Sequence, residues 1–321
     1  MSALHKKFPG VEVGGSSSMK SSNIGGQAVM EGVMMRNADK YAVAVRKTDG
    51  EIVVKTEEYK GIVQNKKIRS LPIIRGVFSF IDSMVLGMST LTYSASFFMD
   101  EEEEEKDEKN ESVMMGLTIA CSVVMAVAIF MILPYFLSQL FRKFTDSTTL
   151  ITLLEGAVRL VIFFGYILLI SRMKDIQRVF MYHGAEHKCI NCIEHGMELN
   201  VENVLKSSRL HKRCGTSFLF IVMIVSIIFF LFIRIESPIW RVVFRLLLIP
   251  VIAGVSFEFI RLAGKSENKL VIFLSKPGMM LQKLTTREPD ASMAEVAIAS
   301  VEAVFDWRAY LKENFGWQEK V

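Results

Sequence analysis

The opening "MSALHKKFPGVEVGGSSSMKSS" lacks any apolar h-region, so no secretory signal peptide is expected and residues 1–23 read as a polar, disordered leader. Cysteine is scarce, with four residues in 321, no internal repeat is visible, and the net charge is only +4. No nucleic acid is expected among the partners. What the chain has in abundance is apolar surface: 51% of its residues are hydrophobic and the mean hydropathy is +0.33. That excludes an ordinary soluble domain and calls for several membrane spans.

Four segments qualify as spans. Residues 113–141 carry no charge across 29 positions and 216–233 none across 18, while about 20 apolar residues cross a bilayer. Segment 150–171 is interrupted by Glu155 and Arg159, and 239–263 by Arg241, Arg245, Glu258 and Arg261. These two are expected to face protein or a polar cavity on one side. Glu155 and Arg159, spaced i to i+4, should pair, with Arg245 as a second partner. Loop 172–215 holds eight Lys and Arg, against two in each of the turns 142–149 and 234–241, which assigns the long loop to the cytoplasm. An even number of crossings then puts both termini inside a bacterial inner membrane. Segment 71–99 is apolar on average but carries Arg75 and Asp82, and as a fifth span it would move the basic N-terminal region outside. It is expected to be an interfacial or re-entrant amphipathic helix. Residues 100–112, "DEEEEEKDEKNES", read as a solvated acidic linker.

The polar remainder is short. Residues 41–59 alternate apolar and polar side chains on both sides of Asp49-Gly50, a β-hairpin signal inside a cytosolic segment 24–70. A hairpin alone is marginal, so it should lean on "GGQAVMEGVMMR" or the other cytosolic parts. The tail 264–321 should end in an amphipathic helix over 291–311. The fold class is therefore mainly α: a four-span integral membrane bundle with an interfacial helix and small cytosolic α/β elements.

The chemistry gathers in "YHGAEHKCINC", residues 182–192, and in the end of the same loop. A reducing compartment disfavours disulfides between Cys189, Cys192 and Cys214, and a thioredoxin-type motif would need a preceding strand. Two metal arrangements fit the spacing. In one, His183 and His187 share a helix face with Glu186 beside them, the H-x-x-E-H order of inverted zinc peptidases, and a third ligand is still required. In the other, Cys189, Cys192, His211 and Cys214 close a structural Cys3His site. The plain alternative is hydrogen bonding at a membrane surface, although four of the five histidines fall within 29 residues. Glu258, about one turn or ~5 Å inside the cytosolic end of the fourth span, is a further candidate ligand or supporting carboxylate. Arg261 is the residue that would otherwise neutralise it.

"GGQAVMEGVMMR" (25–36), "YHGAEHK" (182–188), "HKRCGTSF" (211–218) and "PGMMLQKLTTREP" (277–289) together resemble the YqhQ family, also called DUF1385, from about residue 24 onward. The resemblance implies a multispanning bacterial membrane protein from a family described as predicted metal-dependent enzymes. The family pattern includes the residues matching His183, Glu186, His187, His211 and Cys214 and does not require cysteines at 189 and 192. It favours a site on the histidine pair, completed by His211 or Cys214, over the Cys3His staple.

Two functions fit these residues. The first is a metal-dependent hydrolase, peptidases included, at the cytosolic membrane surface, using Zn or a similar divalent ion and Glu186 as the base. The second is a non-enzymatic factor in membrane-protein biogenesis or translocon assembly, in which the metal loop is a rigid platform. Its partners would be the lipid bilayer and membrane-protein clients or translocon components.

Overall fold

The computed structural model describes residues 19–98, 108–211, 213–233, 235, 237–265 and 268–318. Most of the expected leader and most of the acidic run lie outside them. Ser22, placed within the leader by sequence, is buried, and its backbone N–H and hydroxyl donate to the Glu194 carboxylate at 2.7 and 2.8 Å.

Strands β1 (Gly25–Val29), β2 (Gly32–Asn37), β3 (Lys40–Arg46) and β4 (Ile52–Glu58) form one antiparallel meander in the order β1-β2-β3-β4. The expected hairpin is β3–β4, closed with Arg46 opposite Ile52, and Gly50 takes a positive φ of 90° in its turn. "GGQAVMEGVMMR" supplies β1 and β2, so the hairpin leans on its own sheet. Alternation divides the faces: Val33, Met35, Ala42 and Ala44 join one core, while Val29, Met34, Tyr41, Val43 and Val45 join another.

The first face packs on α6 (Lys174–Glu194) and α11 (Ala291–Val304). The helix expected over 291–311 breaks at Phe305-Asp306, where the Asp306 carboxylate caps α12 (Trp307–Phe315) through the Ala309 N–H. α11 is amphipathic, as expected: Met293, Val296, Ala297, Ser300 and Val301 are buried on one face, and Ser292, Glu295 and Glu302 are exposed on the other.

After a short α1 (Lys66–Ser70), the second face carries α2 (Ile74–Ala95). Asp82, Leu86, Thr90 and Ser94, four apart, are its buried stripe. Asp82 accepts from the Tyr59 hydroxyl (3.1 Å) and the Ile62 N–H (2.8 Å), and Ser94 Oγ accepts the Met30 N–H at 3.0 Å. The Gln27 amide donates to Thr90 Oγ1 (3.0 Å) and the Gly87 carbonyl (3.1 Å). Apolar Ile81, Met84, Val85, Met88 and Leu91 are exposed on the opposite side.

Among the described residues, five helices are long and apolar enough to cross a membrane: residues 74–98, 116–143, 148–170, 215–232 and 238–264. The addition to the four expected spans is the α2 segment. The second of the five begins in α3 (Glu108–Val127), passes through a π-helical turn at Ala128–Ile132 and ends in α4 (Leu133–Gln139) and a 3-10 turn. The others are α5 (Thr148–Ile170), α8 (Gly215–Phe232) and α9 (Pro238–Lys265). Glu155 is the polar centre of this bundle. It accepts Arg159 at 2.8 Å and a bidentate Arg245 at 2.5 and 2.9 Å, as the spacing predicts. Pro134 has no N–H to offer the carbonyl of Phe130 four residues back, and Arg159 Nε donates to that carbonyl at 2.8 Å.

Two further elements complete the fold, and the second ties the bundle to the polar domain. α7 (Val201–Lys206) follows α6, and α10 (Lys269–Thr285) lies against α8, with Leu281 packed beside Phe163, Ile167 and Met223. The chain linking α10 to α11 then crosses α6. Arg287 N–H donates to the Phe180 carbonyl at 2.8 Å, and a Cβ at Gly184 would run into the backbone carbonyl of Arg287.

That crossing makes Gly184→Ala costly. It should destabilise the detergent-solubilised protein by about 1–3 kcal/mol even though alanine is the better helix former. Gly165→Ala, with open space around the new methyl, should be neutral or mildly stabilising. Thermal unfolding of the two variants side by side checks both signs.

Candidate metal centre

α6 presents His183 and His187 one turn apart on the same face, with ring centroids 4.4 Å apart. Each ring is held by a backbone carbonyl. His183 Nδ1 lies 2.9 Å from the Thr285 carbonyl, and His187 Nδ1 lies 2.7 Å from that of Arg209. A carbonyl can only accept, so both Nδ1 atoms carry a proton, and Nε2 is the atom of each ring that can offer a lone pair. His183 Nε2 is 3.3 Å from Cys214 Sγ. Cys214 is the N-cap of α8 and its sulfur accepts the Thr216 N–H at 3.4 Å.

Ligand atoms of His183, His187 and Cys214 all lie within 4.8 Å of one another. Two imidazole nitrogens and one sulfur, with ring orientation fixed by outer carbonyls, are a donor set that would suit a zinc-class ion.

Glu186 flanks this trio. Its Oε2 is 3.5 Å from His187 Nε2, and it is buried beneath β1, where the Gly26 N–H donates to it. A Cβ on Gly26 would press on the Glu186 side chain and the Met34 carbonyl, so glycine is what lets the strand come this close. Burial holds the carboxyl above its ordinary range, opposed by His183, His211, the Gly26 N–H and Arg213.

His211, an expected ligand, turns elsewhere. Its ring is 5.7 Å from that of His187, and its Nε2 faces Glu194 Oε2 at 3.4 Å. Burial depresses the imidazole, against the pull of Glu194. Burial pushes Glu194 upward, but His211, Arg213 and the Ser22 N–H outweigh it, and the carboxyl lies below its usual range. Glu258 is also drawn away. Arg75 grips it at 2.6 and 2.5 Å, and Arg261 stands 3.9 Å off. Of the expected ligands, the structure brings together His183, His187 and Cys214, with His211 beside them and Glu258 engaged in a separate ion pair.

Cys189 and Cys192 belong to the apolar core with Tyr182, Ile190 and Val301. The Cys192 thiol donates to the Glu198 carbonyl at 3.3 Å. Burial raises both thiols, that of Cys192 to about 12.

The residues that sequence reasoning missed are those that position the trio. Gln282 is fully buried: its Oε1 accepts the His211 N–H at 2.9 Å, and its Nε2 donates to the His211 carbonyl (2.7 Å) and Ser217 Oγ (2.8 Å). Arg209 donates to the Thr286 carbonyl, and the buried Lys188 amine reaches the Leu205 and Ser207 carbonyls at 2.8 Å and Glu288 at 2.9 Å. Gln282 and Thr285 lie in the "PGMMLQKLTTREP" motif, which was the available signal. Cys189 and Cys192 should resist maleimide in the native full-length protein and react only after denaturation, as counted by mass spectrometry; labelling of both without unfolding would contradict their place in the core.

The DUF1385 family model, described as "Protein of unknown function (DUF1385)", matches residues 71–307. The "Uncharacterized protein YqhQ" of Bacillus subtilis (strain 168) is 36% identical over 301 residues, covering 90% of this chain and 94% of that one. No solved structure matches the chain. The family match runs through α2, the bundle, the His-His-Cys trio and α11, and the relative aligns over nearly its whole length, so the chain belongs to the DUF1385 family.

Proposed function

We propose that this protein is a multi-pass bacterial inner-membrane hydrolase whose cytosolic face holds one zinc-class ion through His183, His187 and Cys214. The observation that carries the proposal is the tautomer lock: both Nδ1 atoms are tied to backbone carbonyls, and ligand atoms of the two imidazoles and the Cys214 thiol lie within 4.8 Å of one another. An ion of this class supplies Lewis acidity and lowers the pKa of water to ~7. Glu186, lifted by burial and placed beside His187, takes a proton at its carboxylate and returns it to the leaving group. Thr285 and Arg209 orient the imidazoles, and Gln282 holds the loop that delivers Cys214. Peptide bonds near the membrane surface are the substrate class this arrangement suits.

The membrane arrangement we propose has four spans with α2 lying on the cytosolic surface. Tyr59 and Ile62 meet α2 at Asp82, and Met30 meets it at Ser94, so the second half of the helix lies along the polar domain, while its first half packs on α9 around Gly76. Its exposed apolar face is free to rest on lipid. Both termini are then cytoplasmic. A second reading, a biogenesis factor in which the ion is a structural staple, is favoured by the depth of the site. His187 is 1% exposed and Cys214 6%.

Metal analysis of the purified protein should find about one ion per chain in wild type and loss of it in His183→Ala. Glu186→Gln should retain the ion and fail to complement a deletion strain. Full complementation by Glu186→Gln would sink the hydrolase in favour of the staple, and a metal-free wild type would sink both. For topology, cysteines introduced near 60 and 200 should label from the cytoplasmic side and those near 145 and 237 from outside. Exterior labelling at 60 would make α2 a true span.

A further inference from the structure

The apolar bundle carries a half-open cavity of about 350 Å³ that the metal chemistry does not use. Its walls are the π-helical turn at Phe130, α5, α8 and α9, and its size falls within the range of small-ligand sites. α5 and α8 run antiparallel here: Arg159 is level with Ser226, to which it donates at 3.2 Å, and Phe163 packs beside Met223. The lining residues extend from Arg159 to Tyr166 on α5, two turns or ~10 Å. The cavity is therefore a slot with a guanidinium and a hydroxyl at one end and apolar walls beyond.

Charge at the polar end is out of balance. Among the described residues, one carboxylate, Glu155, faces two guanidiniums, Arg159 and Arg245, and all three are at most 4% exposed. Arg159 lines the cavity, and behind it, outside the lining, Arg245 Nε has no hydrogen-bond partner. Both cations lie over Phe230, at 5.0 and 4.6 Å from its ring centroid, which softens the excess positive charge without cancelling it. Net charge buried among lipid-facing helices is costly and marks sites that bind a counter-charge.

We propose that this slot binds a single-chain anionic amphiphile, an acyl chain ending in a carboxylate or phosphate, with its head beside Arg159 and its chain along α5 and α8. The anion neutralises the surplus guanidinium, and the chain fills a space that water would not. The inference rests on the membrane placement of these helices and is independent of the metal centre.

The test uses the full-length protein in nanodiscs of neutral phosphatidylcholine, titrated with radiolabelled palmitate. Saturable binding near one per chain is expected, hexadecanol should compete at least tenfold more weakly, and inorganic phosphate should not compete. Arg159→Gln leaves Glu155 its bidentate Arg245, so the variant should fold and lose palmitate affinity tenfold or more. Val222→Trp, which fills the slot and keeps Arg159, should abolish binding as well. Palmitate should raise the unfolding temperature of wild type and of neither variant. Absence of saturable binding, equal competition by hexadecanol, displacement by inorganic phosphate, or unchanged affinity in Val222→Trp would each overturn the proposal.

Discussion

The crossing of the α10–α11 link over α6 at Gly184 holds the polar half of this protein in register. Without a side chain at 184, the backbone from Thr285 to Arg287 sits directly on the helix, and its carbonyls and N–H groups become partners for α6. The Thr285 carbonyl sets the His183 ring, and Thr286 receives Arg209, whose own carbonyl sets His187. Gln282, one turn earlier on α10, fixes His211 by two backbone hydrogen bonds. A site assembled this way depends on backbone groups brought from three separate stretches of chain, so it is sensitive to the seating of α10 as a whole. α10 is in turn seated on the bundle through Leu281 and Gly278, which couples the candidate metal centre to the apolar helices.

Glu155 and Glu258, both carboxylates of apolar helices, have different settings. Glu155 is shared by two guanidiniums deep in the bundle, whereas Glu258 is held by Arg75 at the start of α2, with both side chains about a quarter exposed. The second pair brings α2 to α9 where Gly76 and Gly254 allow close backbone approach. Removing one partner of such a pair leaves the other charge uncompensated, so both are better understood as devices that fix which helices meet than as net sources of stability.

α2 has two roles because its faces differ. Its polar stripe completes the sheet, and its opposite face is apolar and exposed. Composition alone describes such a helix as a candidate span, and only the identity of the partner along the stripe distinguishes lipid-embedded from lipid-resting.

Local periodicity made much of this legible in the sequence. The apolar helices, the β3–β4 hairpin with its Asp-Gly turn, the i to i+4 pairing of Glu155 with Arg159, and the shared face of His183 and His187 all arise from contacts within a few residues along the chain. Tertiary structure decided the rest because the deciding contacts span long separations. Cys214 meets His183 and His211 turns to Glu194 only once the two ends of the 172–215 segment are packed together. Glu258 leaves the candidate ligand set because Arg75, 183 positions earlier, lies against it. Cys189 and Cys192, a ligand spacing on paper, are core side chains because the helix that carries them is covered by the sheet on one side and α11 on the other. Spacing specifies which groups can share a helix face; which groups then converge is set by the close approach of glycine-bearing backbones, and no local pattern encodes that.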